Sequence, residues 1–241
     1  MVHRGHGPSS PLDPTHGETA LRSWMQQGSL VDSVAVLGSL EQVRQLGIPA
    51  DLQSLLWQWL PPLLRETVSP DESFQLFTRF LSQTLSPQSL LALFERDRLT
   101  LSQLIAALSI GPKVAESLIE DPETFELLRI TDGCPSQRQA LIDEIKTEVS
   151  TARDERQVSR SLHRFHQREM ARIAYGCFRR RVPIEETCRQ LSHVAEAILQ
   201  SAYDFAHRHV AERIGEPRLV QGQPARGSLI ALERLGGVQL G

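Results

Sequence analysis

Arg164, Arg168 and Arg172 stand four residues apart, with Glu169 among them. On a helix this spacing gathers three guanidiniums along one face, because residues four apart are surface neighbours. Such a face has two chemical uses. Its planar donors can grip phosphate oxygens or the acidic surface of a partner protein. Alternatively, the arginines pair with Glu169 and other carboxylates and tie the helix to its neighbours, which is the preferred reading. His163 and His166 are three apart and Glu169 follows three later, a spacing able to present a metal to one helix face; a polar face accounts for it more simply. His207 and His209, two apart, diverge on a helix. Cys134, Cys177 and Cys188 lack the neighbouring His and acid pattern of an activated nucleophile and read as packed or incidental thiols. Trp24, Trp57 and Trp59 are not interleaved with a cluster of basic residues and read as core or helix-contact residues rather than base-stacking platforms.

Helical elements must position these groups. Residues 1–19 are rich in Gly, Pro and Ser with no apolar period, the composition of a disordered tail. From 20 to 135 short amphipathic helices are predicted. Their starts are marked by Ser69-Pro70-x-Glu72 and Asp121-Pro122, and by a capping box at Thr100-x-x-Gln103. Apolar residues step by three or four along Phe74, Phe77, Leu81 and Leu85, and again along Leu101, Leu104, Ile105 and Leu108. Longer helices fill 136–214, with Leu141, Ile145 and Val149 on one stripe and Val158, Leu162 and Phe165 on the next. A joint is predicted at Arg153 to Arg156. A second, at Arg179 to Pro183, is read as a solvated turn. Beyond it Cys188, Leu191, Val194, Ile198, Ala202 and Phe205 keep helical spacing, which completes an antiparallel hairpin of long helices. Residues 215–241 change period: a loop, a β-capable run at Ser228 to Leu232, then Gly236-Gly237.

The 241 residues are 40% apolar, enough for a substantial core. A net charge of -3 argues against nucleic acid as a partner, since nothing in excess neutralises a phosphate backbone. Three cysteines without C-x-x-C spacing fit a reducing, cytoplasmic setting. No apolar run approaches the ~18 residues that cross a bilayer, so no membrane is expected.

The stretch RSLHRFHQREMARIAY (160–175), followed by IEETCRQLSHVAEAILQSA (184–202), is similar to the glutamine-synthetase adenylyltransferase family. That family's helical region reads Arg-Arg-Phe-x-x-Arg-Glu-x-x-Arg-Ile-Ala, then a linker, then Leu-Ser-x-x-Ala-Glu/Asp. Arg164, Phe165, Arg168, Glu169, Arg172, Ile173 and Ala174 match in order, as do Leu191, Ser192, Ala195 and Glu196. Upstream, residues 109–128 resemble its Ser-x-x-Leu-Ala-Glu-x-Leu-x-x-x-Pro-Glu segment, and residues 215–241 resemble its approach to the nucleotidyltransferase motif. The likeness covers roughly 74–241.

The resemblance implies a mainly α chain, a multi-helix bundle leading into the truncated start of a polymerase-β-like α/β nucleotidyltransferase domain at 215–241. It implies an enzyme that transfers AMP from ATP to a tyrosine of glutamine synthetase and removes it by phosphorolysis, with Mg²⁺ and ATP as cofactors. Glutamine synthetase is the implied partner, with a nitrogen-signalling regulatory protein as a second. The match lies at the chain start and so points to the amino-terminal half, used by the family for removal. Gly236 and Gly237 match the glycines whose backbone N–H groups approach a nucleotide's phosphates. The family's following Ser-Asp-x-Asp-Leu, whose carboxylates hold Mg²⁺, has no counterpart in the 241 residues. The chain by itself is therefore expected to be inactive. Two departures stand within the match: Glu233-Arg234 replaces Gly-Lys ahead of the glycines, and Cys177-Phe178 replaces an Asp-Leu pair. The alternative reading is a non-catalytic helical module that binds a protein partner.

Overall fold

The structure is a computed structural model that describes residues 17–215. Among them are eleven α-helices: α1 (Gly17–Gln27), α2 (Ser33–Gln45), α3 (Ala50–Arg65), α4 (Pro70–Gln83), α5 (Pro87–Arg96), α6 (Arg98–Leu108), α7 (Pro112–Glu120), α8 (Glu123–Thr131), α9 (Arg138–Ser150), α10 (Glu155–Arg180) and α11 (Ile184–Ile214). The chain is mainly α, as the periodicity predicts. The expected tail before Gly17 and the expected nucleotidyltransferase start after Gly215, with Gly236 and Gly237, lie outside the described residues. The chain divides into two compact units, Met1–Thr131 and Asp132–Gly241.

In the first unit α4 packs against α2, α3, α6 and α7. Its Phe74, Phe77, Phe80 and Leu81 are fully buried, so none of these short helices needs a core of its own. Trp24, Trp57 and Phe74 meet edge to face, with the Trp24 and Phe74 ring centres 5.4 Å apart. The Trp24 indole N–H donates to the Trp57 carbonyl oxygen at 2.7 Å. Both tryptophans are core residues, as read from the sequence.

Three local expectations are corrected or refined. Thr100 does not open a helix: Asp97 is the N-cap of α6, accepting from Leu99 N–H at 3.0 Å, and Thr100 Oγ1 donates back to Asp97 Oδ2 at 2.9 Å. The capping pair is thus shifted three residues earlier, because a carboxylate accepts better than a hydroxyl. Asp121 ends α7, and α8 begins at Glu123, one residue past the proline, with Thr124 N–H donating to the Asp121 carbonyl at 2.9 Å. Leu85, placed on the α4 stripe, is wholly exposed, because the backbone turns extended at Thr84.

In the second unit α9 and α10 each pack on α11, and on each other. Leu141, Ile145, Val149, Val158 and Phe165 form the core, joined by Val194 and Ala197 of α11. The joints lie at 151–154 and 181–183, so Glu155, Arg156, Arg179 and Arg180, read as joint residues, are helical. Arg181 caps α10 in the left-handed conformation at φ 53°, and Pro183 precedes the first turn of α11. The buried face of α11 follows the expected stripe only in part: Val194 is in the core and Ile198 and Phe205 pack against it. Gln190, Val194, Ala197 and Ser201 face inward, whereas Cys188 and Leu191 are exposed. The helix is rotated away from its most apolar line because Gln190 has a buried partner.

Candidate functional site

That partner is Arg172, which with Glu169 lies on the inward face of α10; each side chain is 1% exposed. Arg172 uses all three guanidinium nitrogens. Nε donates to Glu169 Oε2 at 2.6 Å, Nη1 to the Cys134 carbonyl oxygen at 2.6 Å, and Nη2 to Gln190 Oε1 at 3.0 Å. The Gln190 amide in turn grips Ser136 as a strand neighbour would. Its Oε1 accepts from Ser136 N–H at 2.8 Å and its Nε2 donates to the Ser136 carbonyl at 3.1 Å. Nε2 also donates to Glu186 Oε1 at 3.0 Å. One arginine therefore fixes α10, α11 and the 134–136 segment that leads into α9. A buried ion pair of this kind is held by geometry and full hydrogen bonding rather than by net Coulomb gain.

The same segment is pressed against α10 by a pair of glycines. Gly133, at φ 68°, lies so close to α10 that a Cβ built on it would fall 2.6 Å from the Gly176 nitrogen. A Cβ on Gly176 would collide with the Gly133 carbonyl oxygen. Each glycine makes room for the other, and the approach brings the Cys134 carbonyl within reach of Arg172.

Arg168, one turn earlier, crosses to α9. Its Nη2 donates to Glu144 Oε1 at 2.5 Å and Glu148 Oε1 at 3.1 Å, and its guanidinium lies 5.5 Å from the centre of the Phe165 ring. Burial pushes the Glu144 carboxyl above its ordinary value. Arg168 opposes that shift, while the neighbouring Glu169 and Glu148 charges add to it. Arg138 of α9 pairs with Glu196 of α11, and Lys146 Nζ lies 3.3 Å from Asp204 Oδ2.

The sequence-matched residues thus separate by depth. Arg164 is exposed, Arg168 is mostly buried and Arg172 is inside, so the three do not present one open guanidinium face. His163 and His166 are exposed while Glu169 points inward to Arg172, and they do not converge. Gln190 and the Cys134 and Ser136 backbone were not singled out in the sequence. The available signal was a row of polar and small residues, Gln190, Ala197 and Ser201, at helical spacing around Val194.

Among the described residues no three His, Cys, Asp or Glu side chains cluster so as to hold a metal ion. The carboxylates beside the motif helix are engaged by arginines, so these residues do not fit Mg²⁺. None of the described helices is long and apolar enough to cross a membrane.

A family model for glutamate-ammonia ligase adenylyltransferase matches residues 101–241, including the whole clamp. Three curated relatives are each a bifunctional glutamine synthetase adenylyltransferase/adenylyl-removing enzyme. That of Pseudomonas aeruginosa is 33% identical over 101 residues, which are 42% of this chain and 10% of the relative. The Thioalkalivibrio sulfidiphilus protein is 32% identical over 114 residues, 46% of this chain and 12% of the relative. The Corynebacterium glutamicum protein is 23% identical over 199 residues, 80% of this chain and 18% of the relative. The matched part of the chain thus corresponds to less than a fifth of the length of each of these proteins. With more than half of its residues matched by the family model, the chain belongs to the glutamate-ammonia ligase adenylyltransferase family.

Proposed function

We propose that this chain supplies the helical scaffold in the reversible modification of glutamine synthetase, in which AMP from ATP is attached to a tyrosine and removed by phosphorolysis, regulating nitrogen assimilation. The observation that carries the reading is the position of the family motif: Arg168, Glu169 and Arg172 build an interhelical clamp, and the family match runs through it to residue 241. Their role is to hold the end of α10 and the start of α11 in one geometry. Nucleotide contact belongs to Gly236 and Gly237, whose backbone N–H groups would approach phosphate. ATP and Mg²⁺ are the cofactors of this reading. Glutamine synthetase is the protein partner, a nitrogen-signalling protein the regulator, and removal of AMP the favoured direction.

On this reading residues 1–241, whose sequence carries no counterpart of the family's Ser-Asp-x-Asp-Leu carboxylates, act as a positioning module and have neither activity alone. The test is to incubate purified 1–241 with glutamine synthetase, ATP and Mg²⁺, and separately with the adenylylated enzyme and phosphate. No AMP incorporation and no release are expected, together with retention of glutamine synthetase on the immobilised chain. Turnover in either direction would overturn the positioning role. Failure to retain glutamine synthetase would remove the proposed partner.

A further inference from the structure

Between the last turns of α9 and the second half of α11 lies a cavity of about 250 Å³. Ser201 lines it, 1% exposed, and its hydroxyl has no hydrogen-bond partner. A buried hydroxyl left unpaired carries a desolvation cost, so its use calls for an explanation. The other polar groups around the cavity are short of acceptors rather than donors. Asp204 is the one carboxylate among the described residues lining it, and both its oxygens are engaged. Oδ1 accepts from Gln200 Nε2 at 2.7 Å, and Oδ2 lies 3.3 Å from Lys146 Nζ. Lys146 keeps further N–H donors to spare, and Arg208 has no carboxylate partner among the described residues. The last carbonyls of α9, which would repel an anion, already accept: Thr147 from Ser150 Oγ at 2.7 Å, Glu148 from Thr151 Oγ1 at 2.9 Å, and Val149 from Ala152 N–H at 3.1 Å. Val149, which is buried, and Phe205, which is half-buried, give the cavity an apolar wall.

We propose that this cavity binds a small monocarboxylate with a short aliphatic tail. The Ser201 hydroxyl and the Arg208 guanidinium donate to the carboxylate, with Lys146 beside it, and the tail lies on Val149 and Phe205. The planar fork of an arginine matches a carboxylate with two parallel donors, and a serine hydroxyl adds one directional bond. Charge selects among anions. Lys146 and Arg208 against Asp204 leave one positive charge over, which a single carboxylate balances. A phosphate dianion or a dicarboxylate would overcompensate and set surplus negative charge beside Asp204. Size agrees: the volume holds roughly eight water-sized groups, enough for an acid of four or five carbons. Such an occupant would bridge α9 to α11 by contacts that neither helix makes with the other directly.

Titration of the full 241-residue chain with pentanoate, followed by calorimetry and by amide chemical shifts, tests it without glutamine synthetase or nucleotide. Saturable binding with a dissociation constant of about 0.1–1 mM is expected. The shifts should centre on residues 146–150 and 201–208. Inorganic phosphate and glutarate should each bind at least about tenfold more weakly than pentanoate. Ser201→Ala removes an unpartnered hydroxyl, so it should leave the melting curve in place while weakening pentanoate about tenfold. Arg208→Gln should weaken it by a similar factor, whereas Arg65→Gln, at an exposed arginine of α3, should change nothing. Absence of saturable binding up to about 20 mM pentanoate overturns the proposal. So does binding that survives Ser201→Ala combined with Arg208→Gln, or phosphate bound as tightly as pentanoate.

Discussion

Arg172 is the side chain on which most depends. Removing its charge while leaving Glu169 in place strands a carboxylate that is 1% exposed, frees the Cys134 carbonyl and leaves Gln190 Oε1 with Ser136 N–H alone. Arg172→Met should therefore lower stability by about 3–5 kcal/mol in denaturant unfolding. A second change, Glu169→Leu in that background, should restore a large part of the loss, because the buried charge is gone and the side-chain volumes remain. Equal instability of the single and double variants would show that the hydrogen bonds to 134 and 190, not the stranded charge, dominate. Glu144 makes an opposite case. Burial raises its carboxyl above the ordinary 4.5, so the folded state takes up its proton more readily than the unfolded chain. The stability it lends is full below the unfolded value and is lost as pH rises through the folded one. Glu144→Gln keeps an acceptor for Arg168 and cannot titrate. The melting temperature of the native chain relative to this variant should fall as pH is raised from about 4 to 8. A difference that stays flat or grows with pH would mean that Arg168, rather than burial, governs the carboxyl. The motif residues were legible as a group in the sequence, but their depths were not. Spacing reports angle around a helix axis, whereas the insertion of Arg172 depends on Gln190 and on the Cys134 backbone carbonyl, both distant in the chain.

At the scale of elements, the close approach of α10 to the 132–134 segment rests on two hydrogen atoms in place of side chains. Gly176→Ala would drive a methyl group into the Gly133 carbonyl, and backbone cannot yield as a flexible side chain can. Destabilisation of about 1–3 kcal/mol is expected, with the Arg172 to Cys134 contact loosened. Faster amide exchange along residues 134–138 in the variant than in the native chain is the corresponding readout; unchanged exchange would mean that α10 moves as a body without releasing the segment. Helix existence could be read well from the sequence, since α4, α6, α9 and α10 follow the three-and-four step of their apolar residues. Helix ends and faces could not. The start of α6 is offered twice in the sequence, by Asp97 and by Thr100, and the stronger carboxylate acceptor takes it in the folded backbone. The α11 face was misjudged because hydrophobicity favours Leu191, whereas the clamp draws Gln190 inward.

Across the whole molecule, two cores coexist in one chain. The first unit is held by aromatic and aliphatic packing around α4, with Leu104 fully buried on α6. The second is held by the α9–α11 core and its arginine links. Substitutions far apart with no shared partner add independently, and two cores of this kind should unfold as two cooperative transitions. Leu104→Ala creates a cavity in the first core and should cost about 2–5 kcal/mol there, shifting one calorimetric transition and leaving the other in place. Arg172→Met should shift the other transition alone. If both substitutions move a single shared transition, the two units are thermodynamically one, and the clamp would stabilise α1–α8 as well as its own helices. The outcome also bears on function. With two transitions, a partner that grips the second unit would raise only the Arg172-sensitive one, by RT ln(1 + [L]/Kd) at saturating concentrations. Calorimetry with glutamine synthetase present would then test the proposed partner, a shift of one transition alone placing its docking on that unit, without any assay of turnover.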